Sequence, residues 1–85
     1  MKLKKALRKL SQYMDADQRE QLAQYDSIKK VLKKLKSKRN QLREKIELIE
    51  DDEERQQIQN KLDIVNAQRK KGVKLLKELK LIRRE

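Results

Sequence analysis

The apolar stripe of this chain changes sides halfway along the sequence, at an acidic run that contains neither glycine nor proline. In alternating steps of three and four, its first half comprises Tyr25, Ile28, Leu32, Leu35, Arg39, Leu42, Ile46 and Ile49. Its second half comprises Ile58, Leu62, Val65, Arg69, Gly72, Leu76 and Leu79. The second set is offset from the first by two residues, which rotates a helical stripe by about 200°. One straight helix would therefore carry two half-stripes on opposite sides.

A reversal of the chain within the acidic run lets the two half-stripes face each other. The sequence therefore predicts an all-α fold, an antiparallel, coiled-coil-like helical hairpin with helices over about 17–49 and 53–82. A short amphipathic helix precedes this hairpin, which makes three helices in total. We expect one helical domain over residues 1–85, divided into the N-terminal helix (1–14), a second helix (15–50), an acidic turn (51–54) and a third helix (55–85).

The register of the predicted hairpin leaves three layers imperfect. With Ile46 opposite Ile58, it puts Arg39 on Val65, Leu35 on Arg69 and Leu32 on Gly72. Two explanations remain open for the arginines: their stems lie on the seam while their charged heads reach water, or they are positioned to bind an anion. Gly72 weakens the helix by about 1 kcal/mol relative to alanine. Either a close approach of Leu32 offsets this cost, or the helix kinks there.

The N-terminal segment has an apolar face that needs a partner. Leu3, Ala6, Leu7, Leu10 and Met14 recur at helical spacing among basic residues. Two ways of covering the apolar surface remain open. The segment docks on the hairpin near Leu75 and Ile82, or two copies of the hairpin pair with each other. We favour docking for part of the surface and expect membrane association to be unlikely, since no Trp or Phe is present as an anchor. Asp17 and Glu20 have capping-box spacing, and Asp15 is a second candidate N-cap.

The residue types argue against catalysis. The chain has no His and no Cys, which removes the usual general base, the thiol nucleophile and the thiolate metal site. The acidic run lacks the ligand alternation and central glycine of a calcium loop, so helix capping and solubility explain it better. We therefore expect no enzymatic activity, no cofactor and no metal. The absence of Cys fits a reducing compartment, and we expect the cytoplasm.

Charge is strongly segregated along the chain, whose net charge is +11. Residues 29–45 contain nine lysines and arginines against one glutamate, residues 46–54 contain six acids, and residues 69–84 contain eight basic residues against one glutamate. Folding at the acidic run gathers the basic blocks into one body with an acidic end. The candidate contacts for an anion or nucleic acid are Lys29, Lys30, Lys33, Lys34, Lys36, Arg39, Arg69, Lys70, Lys71 and Lys74.

Two functions fit these features. The leading hypothesis is a non-enzymatic protein-interaction module, dimeric or bound to another protein, because matched seams and surplus apolar residues occur without catalytic residue types. The alternative is a sequence-independent nucleic-acid binder that neutralises phosphates with its basic body. Tyr13 and Tyr25 are the only aromatic residues, and lysine outnumbers arginine. This composition favours contact with the backbone over base stacking or base reading.

Overall fold

The computed structural model describes residues 2–83, which form four α-helices. They are α1 (Leu3–Asp15), α2 (Gln18–Ala23), α3 (Tyr25–Leu48) and α4 (Asp52–Arg83). No strand occurs between residues 2 and 83, and the predicted all-α class is confirmed. The molecule is a rod of 51 × 19 × 18 Å. Arg84, which belongs to the second basic block of the sequence, lies outside the described residues.

The predicted count of three helices is wrong, because the helix expected over 17–49 is interrupted at Gln24. This residue has φ −100° and ψ 16°, outside the helical range, and its N–H donates to the carbonyl oxygens of Glu20 and Leu22. Its own carbonyl accepts a 2.9 Å hydrogen bond from Ile28 N–H, so helical bonding resumes at once. A single residue therefore separates α2 from α3 without a loop, and helical hydrogen bonds continue on both sides of it.

The connection between α1 and α2 is fixed by two side chains. Asp17 is the N-cap of α2, and its Oδ1 accepts a 2.8 Å hydrogen bond from Glu20 N–H, as its capping-box spacing predicts. Asp15 instead ends α1. Gln21 is buried, and its Nε2 donates to the carbonyl oxygens of Tyr13 at 3.0 Å and Met14 at 3.3 Å. Gln21 thereby satisfies carbonyls that the end of α1 leaves without helical partners.

The turn between the long helices is shorter and earlier than predicted. It comprises residues 49–51 instead of 51–54, because α4 already begins at Asp52. Asp51 Oδ1 accepts a 3.0 Å hydrogen bond from Glu53 N–H, and the Arg55 guanidinium donates to the Ile49 carbonyl oxygen. Three acids in the first turn of α4 complement the positive end of its macrodipole. The acidic run thus forms the end of the turn with Glu50 and Asp51 and the start of α4 from Asp52 onwards.

Side chains from α1, α3 and α4 form one hydrophobic core. The residues with at most 1% of their surface exposed are Ala6 and Leu10 from α1, Ile28 and Leu35 from α3, and Val65 and Leu79 from α4. Of the other predicted seam residues, Leu32, Ile58 and Leu62 are buried, and Tyr25, Leu42, Ile46 and Leu76 are half-buried. Along the part of the rod that α1 covers, the molecule is therefore a three-helix bundle. Beyond α1, towards the acidic turn at the tip, only α3 and α4 pack together.

Gly72 lies where the three helices meet. A Cβ atom at this position would lie 2.5 Å from Leu32 Cδ2 and 3.1 and 3.2 Å from the two Cδ atoms of Leu10. The Leu32 contact is the one that the register predicts, whereas Leu10 is an additional neighbour from α1. The helix α4 continues through Gly72 without interruption. The glycine therefore permits close packing and does not mark a kink.

We expect Gly72→Ala to lower the free energy of unfolding by about 1 kcal/mol, because overpacking by the new methyl group outweighs the gain in helix propensity. In a Leu32→Ala background the 2.5 Å contact is gone and only the Leu10 contacts at 3.1 and 3.2 Å remain. The same substitution should then cost less and approach the gain of about 1 kcal/mol that helix propensity provides. Urea denaturation of the four proteins of this double-mutant cycle measures both effects.

Ala67→Gly provides the matched control, because Ala67 is exposed on the same helix. It should lower the free energy of unfolding by about 1 kcal/mol through propensity alone. If Gly72→Ala in the wild-type background raised the free energy of unfolding by as much as Ala67→Gly lowers it, this result would contradict the close contact at Gly72.

Candidate functional site

Basic side chains line the groove between α3 and α4. This arginine groove, as we call it, has a volume of about 510 Å³ and receives no residue from α1. Its lining residues are Arg39, Asn66, Arg69, Lys70, Val73, Lys74 and Lys77. They include five cations and no carboxylate, so the lining concentrates positive charge along about 12 Å of α4 between Arg69 and Lys77.

A second basic groove lies between α1 and α3. It has a volume of about 530 Å³ and is lined by Lys9, Ser27, Lys30, Val31, Lys33, Lys34 and Ser37. Four of these residues are cations and none is acidic. Val31 is almost completely buried and the two serines can donate or accept hydrogen bonds. This α1–α3 groove therefore offers a second surface to an anion, separate from the arginine groove.

The structure divides the ten predicted contact residues among several surfaces. Arg39, Arg69, Lys70 and Lys74 share the arginine groove, and Lys30, Lys33 and Lys34 share the α1–α3 groove. Lys29 lies beside Lys30 and Lys33 in a depression on α3 that also includes Asp26. Lys71 lies with Lys74 between α1 and α4, next to Glu78. Lys36 is exposed and lines none of these grooves.

Seven lining residues of the two grooves were not predicted as contacts, namely Asn66, Val73, Lys77, Lys9, Ser27, Val31 and Ser37. Asn66 and Lys77 line the arginine groove, and Lys9 lines the α1–α3 groove. A signal for Asn66 and Lys77 exists in the sequence, because Asn66, Val73 and Lys77 follow one another in helical steps of seven and four on the face of α4 that carries Arg69 and Lys70. Lys9 has no such signal, since its position depends on how α1 docks.

Arg39 and Arg69 differ from the other arginines. Seven arginines are described, and only these two are half-buried while the others are exposed. The Nε atom of each is buried and has no hydrogen-bond partner among residues 2–83. Arg39 Nη2 donates only a long, 3.4 Å hydrogen bond to Asn40 Oδ1. The two side chains are therefore buried at Nε, beyond their apolar stems.

The charges of these arginines act on each other. Burial lowers the pKa of Arg69 from its ordinary value, and the positive charge of Arg39 lowers that pKa further. Two like charges therefore lie within interaction distance in a partly desolvated groove. The two arginines therefore concentrate positive charge at this part of the groove.

Comparison with models of protein families, with curated proteins and with solved structures finds no match to this chain. The functional argument therefore depends on the chain's own residues. Within residues 2–83, no group of three or more acidic, His or Cys side chains is arranged to hold a metal ion. None of the described helices combines the length and the apolar character that crossing a membrane requires.

We expect Arg69→Met to raise the free energy of unfolding by about 0.5 kcal/mol, because methionine keeps an apolar stem and removes the repelled charge. The gain should shrink in high salt, which screens repulsion. Urea denaturation in low and high salt measures both effects. Arg43→Met is the matched control, because Arg43 is exposed on α3 and outside the arginine groove. An equal gain in both variants, or a loss of stability in Arg69→Met, would contradict the mutual repulsion of Arg39 and Arg69.

Proposed function

We propose that this protein is an antiparallel helical hairpin, covered on one side by α1, whose basic body binds the backbone of nucleic acid without reading its sequence. One observation carries the proposal: two interhelical grooves are lined by five and four cations respectively, and neither includes a carboxylate. Phosphate groups that displace the counterions of these cations would supply the binding free energy. Because the chain has no Cys, a reducing compartment suits it, and we propose that it acts in the cytoplasm.

The distribution of charge along the rod supports one orientation of the ligand. The acids of the tip comprise Glu47, Glu50, Asp51, Asp52, Glu53 and Glu54, and all are exposed. They would repel a phosphate backbone, whereas the arginine groove and the α1–α3 groove attract it. A bound duplex would therefore lie against the half of the rod that α1 covers and avoid the tip.

The aromatic residues favour contact with phosphates over stacking with bases. Tyr13 and Tyr25 are both half-buried. The Arg83 guanidinium lies over the ring of Tyr25, 4.2 Å from its centroid. Cation–π contact thus occupies one face of that ring. Since both tyrosines are half-buried and one ring face is occupied, base stacking contributes little in this proposal and binding should be insensitive to sequence.

We expect wild-type protein to bind 20-base-pair DNA duplexes of two unrelated sequences with equal affinity, and that affinity should fall steeply with salt. Removing two groove charges in Lys70→Gln/Lys77→Gln should reduce the slope of log K against log salt by about 1.8, because each lost phosphate contact contributes about 0.9. Fluorescence anisotropy across a salt series, with an RNA duplex in parallel, measures the slopes.

Lys45→Gln/Lys61→Gln is the matched control for this pair. Both lysines are exposed and line neither basic groove, and their substitution removes the same net charge as the groove pair. The control should keep the wild-type slope. No binding of any duplex at low salt would refute the proposed function, and equal slopes in both double variants would show that binding does not use the arginine groove.

Exposed leucines favour protein interaction as a second candidate function. Leu48 at the tip is 83% exposed and Leu81 near the end of α4 is 65% exposed. The docking of α1 covers the apolar surface around Leu10 and Gly72. Fewer apolar residues therefore remain exposed to support the protein-interaction hypothesis. The exposed leucines lie at two different parts of the rod, so any contact they make would be small.

If these leucines mediate self-association, high salt should strengthen it, because salt screens the repulsion between chains of net charge +11. Sedimentation velocity should then show a larger species at high salt, and Leu48→Lys/Leu81→Lys should remove it. A monomer at every salt concentration would exclude self-association.

A further inference from the structure

Arg39 and Arg69 line the arginine groove and are neighbours of buried layers of the apolar seam. One helical turn before each of them in the apolar stripe are Leu35 and Val65, both with no exposed surface. The register between the helices places Arg39 across from Val65 and Arg69 across from Leu35, so the four residues form adjacent layers of the same seam. Each arginine thus replaces an apolar seam residue next to a fully packed layer.

The free protein leaves this pair unsatisfied in two ways. Each Nε atom is buried without a hydrogen-bond partner among residues 2–83, and an unpaired buried donor opposes folding. The two positive charges also repel each other, and the other charged residues of the groove lining are Lys70, Lys74 and Lys77, which add to the repulsion. The buried atoms without a partner are the two Nε atoms and not the Nη atoms, so the ends of the guanidinium groups remain at the groove.

We propose that Arg39 and Arg69 together bind one phosphate group in the arginine groove. The two Nη groups of an arginine donate parallel N–H bonds to two oxygens of a phosphate. A phosphate between the two side chains accepts from their Nη groups and turns their mutual repulsion into attraction to a shared anion. Lys70, Lys74 and Lys77 then neutralise the neighbouring negative charge.

The inference rests on the proposed function for the source of the phosphate, which is the nucleic-acid backbone. A free phosphate compound presents the same chemistry, so pyrophosphate serves as an independent probe. The two sources differ in what they require of the rest of the surface. A duplex needs the flanking lysines over several phosphates, whereas pyrophosphate needs only the arginine pair and its nearest neighbours.

The decisive variant is Arg39→Lys/Arg69→Lys, which keeps both positive charges and removes the paired N–H donors. It should bind a 20-base-pair RNA duplex about tenfold more weakly than the wild type, because lysine cannot make the paired bonds. The salt slope should stay unchanged, because the number of charges is the same. Arg19→Lys/Arg43→Lys is the matched control, because both arginines are exposed outside the grooves. Its affinity should remain within about twofold of the wild type.

The pyrophosphate measurement separates this inference from the proposed function. At saturation, sodium pyrophosphate should raise the Tm of the wild type and of the control variant by roughly 5 °C over sodium chloride of equal ionic strength. The Arg39→Lys/Arg69→Lys variant should show no such rise. If no duplex binds the wild type but pyrophosphate acts in this way, the proposed function fails and the arginine site stands.

Two results overturn the arginine site. One is an unchanged duplex affinity in Arg39→Lys/Arg69→Lys while the wild type binds. The other is a wild type that binds no duplex and gains no Tm from pyrophosphate. If the double variant does not fold by circular dichroism, the single variants Arg39→Lys and Arg69→Lys replace it. Each should then lose about threefold in duplex affinity, and unchanged affinity in both singles overturns the site.

Discussion

Gly72 has no side chain, and two leucines from different helices occupy the space that a side chain would fill. Leu32 brings α3 close to α4, and Leu10 brings α1 onto both. The rest of the core depends on this approach, because Ala6, Ile28 and Val65 can all be fully buried only when the three helices lie this close. Dense packing of this kind makes the position of α1 specific. The glycine therefore holds together a bundle in which most residues are charged or polar.

The sequence predicted the long helices and their pairing because the apolar residues keep a strict period and the two half-stripes are out of phase. The same argument placed Leu32 against Gly72, and the Asp17 cap followed from its spacing to Glu20. The interruption at Gln24 had no signal, since glutamine neither breaks nor caps helices. Gln21 was missed for a related reason: its partners, the carbonyls of Tyr13 and Met14, belong to another helix and exist only after docking.

The candidate site was less predictable than the fold. The basic residues of the sequence form two linear blocks, and folding the long helices together suggested one continuous body. Lys30, Lys33 and Lys34 instead lie more than about 100° around α3 from Arg39 and outside the arginine groove. The docked α1 contributes Lys9 to the α1–α3 groove, a position that no periodicity in the long helices defines. The docking of α1 thus decides which of its basic residues joins a groove, and the sequence contains no measure of its angular position.

The apolar cover and the arginine groove are opposite flanks of the same stretch of α4. Each residue turns a helix by about 100°, so Lys71, Leu75 and Glu78 lie to one side of Gly72, while Asn66, Arg69 and Val73 lie to the other. The first side faces α1, and Met14 of α1 lies against it. The second side receives no residue from α1, and there Arg69 and Arg39 line the groove from adjacent layers of the stripe. A second apolar cover would have required apolar residues at these positions and would have closed the groove. The arginines keep this flank open to water and to anions, so the core is stabilised from one side while the other remains available for binding.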